Sequence, residues 1–159
     1  MNARIDFNKY LSSNLGQAML ALSAASQASG LERSLLELVR LRASQINHCA
    51  YCIDMHTKDA RAHGETEQRL YALSAWRETP FYSARERAAL EWTEAVTLLS
   101  ETHVPDDIFE KVRQHFDESE LVALTFAVVV INSWNRLAVS IRVPVGTYQP
   151  QAAVETSLA

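Results

Sequence analysis

Two cysteines three residues apart, Cys49-Ala50-Tyr51-Cys52, are followed four residues later by His56 and preceded by Glu37. If Cys49 and Cys52 open a helix, their Cα atoms lie about 5 to 6 Å apart, within the range a disulfide accepts. Such a pair can oxidise without moving the backbone. A helix N-terminus also favours thiolate over thiol, because its unpaired N–H groups and the positive end of the macrodipole stabilise negative charge; comparable sites depress a cysteine below its free pKa of about 8.5. His56 lies one helical turn beyond Cys52 on the same face, where an imidazole can take the thiol proton.

Glu37 precedes Cys49 by about 18 Å along a continuous helix, so on a straight rod it could not reach the dithiol. A break near Asn47-His48 would lay two helices antiparallel and bring Glu37 level with His56. Glu37 also interrupts an apolar neighbourhood of Leu36, Leu38 and Leu41. A half-buried carboxylate needs a partner, which His56 or a water bridge to Cys52 would supply. The plainer reading pairs Glu37 with Arg33, Arg40 or Arg42. Two thiolates, His56 and Glu37 or His48 could also make four tetrahedral metal ligands, but the second Cys or His pair usual in a structural zinc site is not evident. His48, His63, His103 and His115 read as surface or capping residues, with His48 near enough to the dithiol to tune it. Tyr51 reads as cover over the thiols and Trp134-Asn135-Arg136 as core and helix surface.

The elements that position these residues read as helices. Apolar spacings of three and four predict one from Asp6 to about Ser29, closed by Gly30, and a second from Leu31 to Asn47. A third starts beside the cysteines and runs to His63, with Gly64 as a left-handed cap. A short helix from Thr66 to about Ala75 precedes a connector around Pro80. Ser83 and Glu86 form a capping box for a helix up to Ser100, and Pro105 to Phe116 forms another. Asp117 and Glu120 start the last helix, Glu118 to about Ile141, whose Leu121–Ile131 run is apolar all round and belongs at the centre of the fold or in a subunit interface. The expectation is an all-α fold: one compact domain of about six to seven helices over residues 1–143, then a loose or partner-contacting tail, 144–159.

Composition agrees with this. The chain has 159 residues, 48% hydrophobic and 21% charged, enough for one sizeable core and too few for two. Four glycines and four prolines leave few tight turns for a many-stranded sheet. The net charge of −4 offers no global positive field for a phosphate backbone or an anionic bilayer, so neither nucleic acid nor membrane is expected as a partner. The first residues interleave Arg4, Asp6 and Lys9 with apolar ones, unlike a signal peptide, and the apolar run of the last helix falls short of the roughly 18 residues of a membrane span. A cytoplasmic protein is expected.

The pattern Glu, eleven residues, Cys-x-x-Cys, three residues, His resembles the active-site signature of the AhpD-like alkylhydroperoxidases of the carboxymuconolactone decarboxylase superfamily. The blocks Arg42–Asn47, Asp54–Arg61 and Ile131–Leu137 resemble the short, single-motif branch, and the likeness covers most of residues 10 to 143. It implies an all-helical homotrimer or homohexamer that reduces organic or hydrogen peroxide through Cys49, Cys52, His56 and Glu37. It implies no flavin, haem or metal, and an external dithiol reductant of lipoyl or thioredoxin type. In the mechanism expected, Cys52, stacked with His56, is peroxidatic, Cys49 resolves and is the more accessible sulfur, His56 is the base, and Glu37 orients it or passes protons through water. Two departures stand out. Tyr51 occupies the place of a histidine that the best-known members hold between the cysteines, and the dithiol argues against the lactone decarboxylases, which lack it. The alternatives are a non-catalytic redox switch or protein-binding oligomer, and a zinc-binding module.

Overall fold

The computed structural model describes residues 2–150. Eight α-helices and two 3-10 segments make up its regular structure, and the described residues contain no strand. The order is α1 (Asn14–Gln27), α2 (Arg33–Ile46), α3 (Ala50–Ala62), α4 (Glu67–Ala72), α5 (Ala84–Thr97), α6 (Leu99–Thr102), α7 (Asp106–Arg113) and α8 (Glu118–Ile141). The 3-10 segments are Phe7–Tyr10 and Leu73–Glu78.

The all-α expectation holds, with local differences that have local causes. The stretch expected as one helix from Asp6 to Ser29 is broken, because the Ser13 hydroxyl accepts from the Gly16 N–H and starts α1 afresh. Tyr10 and Leu15, read as one buried stripe, are 56% and 83% exposed. The helix expected up to Ser100 stops at Thr97, and α6 is the short continuation beyond a kink at Leu98. The capping boxes of Ser83 with Glu86 and of Asp117 with Glu120 are both formed, and Gly30 and Gly64 adopt the positive φ expected of them, 90° and 91°.

Helix α2 lies in the middle, packed against α3, α5 and α8. One face, Leu35, Leu36 and Val39, joins Trp92 of α5, Val112 of α7 and Leu124 and Val128 of α8 in the main core. The other, Leu38 and Leu41, meets Ala60, Leu70, Leu73, Trp76 and Leu90. Burying each such leucine is worth about 1.5–3 kcal/mol, and truncating Leu36, fully buried at the centre, costs about 2–5 kcal/mol.

By length and composition α8 could cross a membrane, which the eleven-residue run did not anticipate. In this fold it packs against α1, α2, α3 and α5, with Leu124, Ala127, Val128, Ile131 and Asn135 buried. Its opposite face leaves Val122, Phe126, Val129 and Val139 between 44% and 56% exposed. After α8 the chain returns along α3, where the Tyr148 hydroxyl donates to Asp59 (2.7 Å) and the Lys58 ammonium to the Tyr148 carbonyl (3.0 Å). Residues 151–159 of the expected tail lie outside the described residues.

Candidate active site

The break after α2 is a Schellman turn. His48 takes the left-handed conformation at φ 52°, its N–H bonds to the Gln45 carbonyl (3.2 Å), and the Cys49 N–H reaches back to Ser44 (3.0 Å). Histidine is among the residues that tolerate this region better than most. Cys49 thereby ends one helix and caps the next, its sulfur accepting from the Cys52 N–H at 3.3 Å. Cys49 and Cys52 are joined as a disulfide with Cα atoms 5.4 Å apart, within the spacing expected for a pair at a helix start. Both are almost wholly buried, at 1% and 2% exposure, in a small apolar cluster with Ala43, Ile131 and Ala138.

Helices α2 and α3 run back along one another and bring Glu37 to His56. A Glu37 oxygen lies 2.8 Å from His56 Nδ1, and the other accepts from the Arg40 guanidinium at 2.9 Å. All three side chains are buried. The two readings of Glu37, partner of His56 and partner of an arginine, therefore hold together. Burial would raise the Glu37 carboxyl, but hydrogen bonds and charge from His56 and Arg40 outweigh it and hold the group below its ordinary range. An ionised carboxylate only accepts, so Nδ1 carries the proton and Nε2 is left as a base. No hydrogen bond joins His56 to either sulfur of the oxidised pair among the described residues.

Sequence reasoning missed two parts of this site. The first is a set of buried amides. Asn47 donates to the side-chain oxygens of Asn132 and Asn135, both at 2.9 Å, Asn135 donates to the Ser44 hydroxyl at 3.0 Å, and Asn132 to Thr97 at 3.0 Å. These bonds tie the turn before Cys49 to α8. The available signal was the pair of asparagines in an otherwise apolar helix, which must find partners if buried. The second is Asp59 with Tyr148. Burial and the Asp59 hydrogen bond keep the Tyr148 hydroxyl protonated, far above its ordinary value. The ligand atoms of Glu37, His56 and Asp59 lie within 4.8 Å of one another, close enough to hold a cation, although the Arg40 charge on the same carboxylate opposes one. Neither sulfur belongs to that cluster.

Cys52 forms part of the wall of a cavity of about 490 Å³, beside Tyr51, Met55 and Trp134. Cys49, expected to be the more accessible sulfur, does not line it. Burial first, then the charges of Asp54 and Asp59, raise the Tyr51 phenol, so Tyr51 is a neutral neighbour of the thiols.

Residues 14–95 match the model of the carboxymuconolactone decarboxylase family. The chain is 48% identical over 122 residues to YdfG of Bacillus subtilis (strain 168), an uncharacterized protein, covering 77% of this chain and 83% of that one. It is 45% identical to ATU0492 of Agrobacterium tumefaciens, whose function is unknown and which has been suggested to be an antioxidant defence protein AhpD. That structure superposes with a TM-score of 0.88 over 92% of this chain and 100% of its own. The debrominase Bmp8 shares the fold at a TM-score of 0.76 and 18% identity, over 84% of this chain and 72% of its own.

Proposed function

This chain belongs to the carboxymuconolactone decarboxylase family as an AhpD-like member, and from that premise we propose that it is a thiol-dependent peroxidase. The observation that carries the reading is the dithiol at the start of α3, one sulfur in a cavity wall, above a buried Glu37–His56 pair whose free imidazole nitrogen is a base. In the reduced protein His56 takes the proton of Cys52. The thiolate attacks one peroxide oxygen, the O–O bond breaks, and the leaving alkoxide or hydroxide takes the proton from His56 and departs as alcohol or water. Cys52 is left as a sulfenic acid. The Cys49 thiolate displaces hydroxide from it, forming the disulfide and, with the Cys49 proton, water. An external dithiol, oxidised to its own disulfide, returns both thiols. The sum is peroxide plus dithiol to alcohol, water and disulfide.

Cys52 is assigned the peroxidatic role because it lines the cavity and lies one turn from His56, and Cys49 the resolving role. Glu37 fixes the tautomer of His56. Fold membership alone does not determine a reaction, as the debrominase neighbour illustrates. The decisive test is peroxide consumption by the reduced protein with dithiothreitol as reductant. We expect sustained turnover and loss of both free thiols to an intramolecular disulfide after one equivalent of peroxide. Cys49→Ser should accumulate a sulfenic acid on Cys52 that dimedone traps, whereas Cys52→Ser should consume none. Stoichiometric oxidation without turnover would instead establish a redox switch.

A further inference from the structure

The cavity beside Cys52 is closed by the segment from Ala3 to Leu11, with α1, α3 and α8 forming its other walls. That segment is fastened at both ends. The Arg4 N–H and guanidinium donate to the Ile141 and Ser140 carbonyls at 2.9 and 3.0 Å. At the other end the Gln17 amide donates to the Leu11 carbonyl (2.8 Å). There a Cβ on Gly16 would meet the Tyr10 and Leu11 carbonyl oxygens at 2.6 Å, so only glycine lets the turn sit so close. Between the anchors Phe7 meets Trp134 edge to face, with ring centroids 6.3 Å apart. The Trp134 indole is held in turn by its bond to the Ser23 hydroxyl (2.7 Å).

The lining is chemically one-sided. Its only charged side chain is Asp6, and it contains no lysine, arginine or histidine. The Ser23 hydroxyl is already engaged, donating to the Met19 carbonyl and accepting from Trp134. An anion entering here would lose its hydration without gaining a cation, whereas an uncharged apolar group would exchange water for Phe7, Leu20, Met55, Trp134 and Leu137. A volume near 490 Å³ falls within the range of sites that take small organic molecules, about 300–1,000 Å³.

Resting on the peroxidase reading, we propose that this cavity binds the organic part of the substrate, selecting uncharged apolar groups against anionic ones, with Phe7 on the strap and Trp134 on α8 gripping it. The hydroperoxides admitted are then neutral aromatic or branched ones, not those carrying a free carboxylate.

The test uses two unreactive molecules of one skeleton, 2-phenyl-2-propanol and 2-methyl-2-phenylpropanoate, titrated calorimetrically into the full-length oxidised protein. The alcohol should bind at least tenfold more tightly than the carboxylate. Phe7→Ala and Leu20→Ala, on opposite walls and neither fully buried, should each weaken the alcohol about tenfold, the scale of a lost aromatic contact in a desolvated site, with unfolding midpoints unchanged. Equal affinity for both probes, no binding of the alcohol, or wild-type affinity in both variants would overturn the proposal. Selective binding in a protein that consumes no peroxide would instead overturn the peroxidase reading and leave the cavity as a neutral-ligand site.

Discussion

Glu37→Gln separates what the buried carboxylate does for the fold from what it does for the dithiol. Glu37 is 4% exposed and accepts from both His56 and Arg40. The amide has a single acceptor oxygen, and Arg40, itself only 8% exposed and permanently charged, has the stronger claim on it. The NH₂ group then faces His56 Nδ1, which must become an acceptor. That moves the ring proton to Nε2 and removes the base assigned to the thiol. Loss of general-base assistance is typically worth 10² to 10⁴ in rate, so the single-turnover rate at neutral pH should fall about a hundredfold. Raising the pH toward about 8.5 should partly restore it, as hydroxide generates the thiolate unaided. One charged hydrogen bond lost in a buried site costs about 2 kcal/mol, which for a chain of this size lowers the melting temperature by about 4–8 °C. Adding Arg40→Met removes the uncompensated cation and should recover much of the stability but none of the rate. The assay is a pH series of stopped-flow peroxide reduction paired with calorimetric unfolding. A wild-type rate at neutral pH in Glu37→Gln, or rate and stability recovering together in the double variant, would refute the tautomer argument and make Glu37 a purely structural counter-ion.

Three further outcomes follow from the structure. The exposed apolar face of α8 is expected to be covered by another copy, so sedimentation should find no 17.8 kDa species at micromolar concentration, and Val129→Asp or Phe126→Asp should weaken assembly. His48→Gly should raise stability by about 0.5–1 kcal/mol, seen as a higher melting temperature, because φ 52° carries a Cβ penalty that glycine avoids. Acid should destabilise the fold. Burial opposes ionisation of Glu37, Glu86 and Glu94, but His56, Arg40, Arg69, Trp76, Arg77 and Arg42, among other partners, hold these carboxyls below the ordinary value of 4.5. The unfolded chain binds more protons in that window, so their contribution is complete above about pH 4.5 and is lost as pH falls through the folded values, which urea unfolding at pH 6, 4 and 3 would reveal.

The positions of Cys49, Cys52 and His56 relative to one another are local facts, determined by helical spacing within one element and therefore legible in the sequence. So were both capping boxes, since a cap is decided within four residues. The approach of Glu37 to His56 was legible only as a consequence of the break at Asn47-His48, which polar residues signal without specifying its angle. Chain order alone could not reveal that Asn47 is tied to Asn132 and Asn135, more than eighty residues away, or that Asp59 is met by Tyr148. Hydrogen bonds between distant elements depend on how α8 is rotated against α2, and that is decided by packing the whole core. The break before α1 shows the same limit from the other side. Phe7, Tyr10, Leu11 and Leu15 carry a helical period, yet a serine cap and a carbonyl pressed against Gly16 turn the first three into part of a strap across the cavity. Periodicity states which residues seek an apolar surface, and only the assembled fold supplies the surface they find.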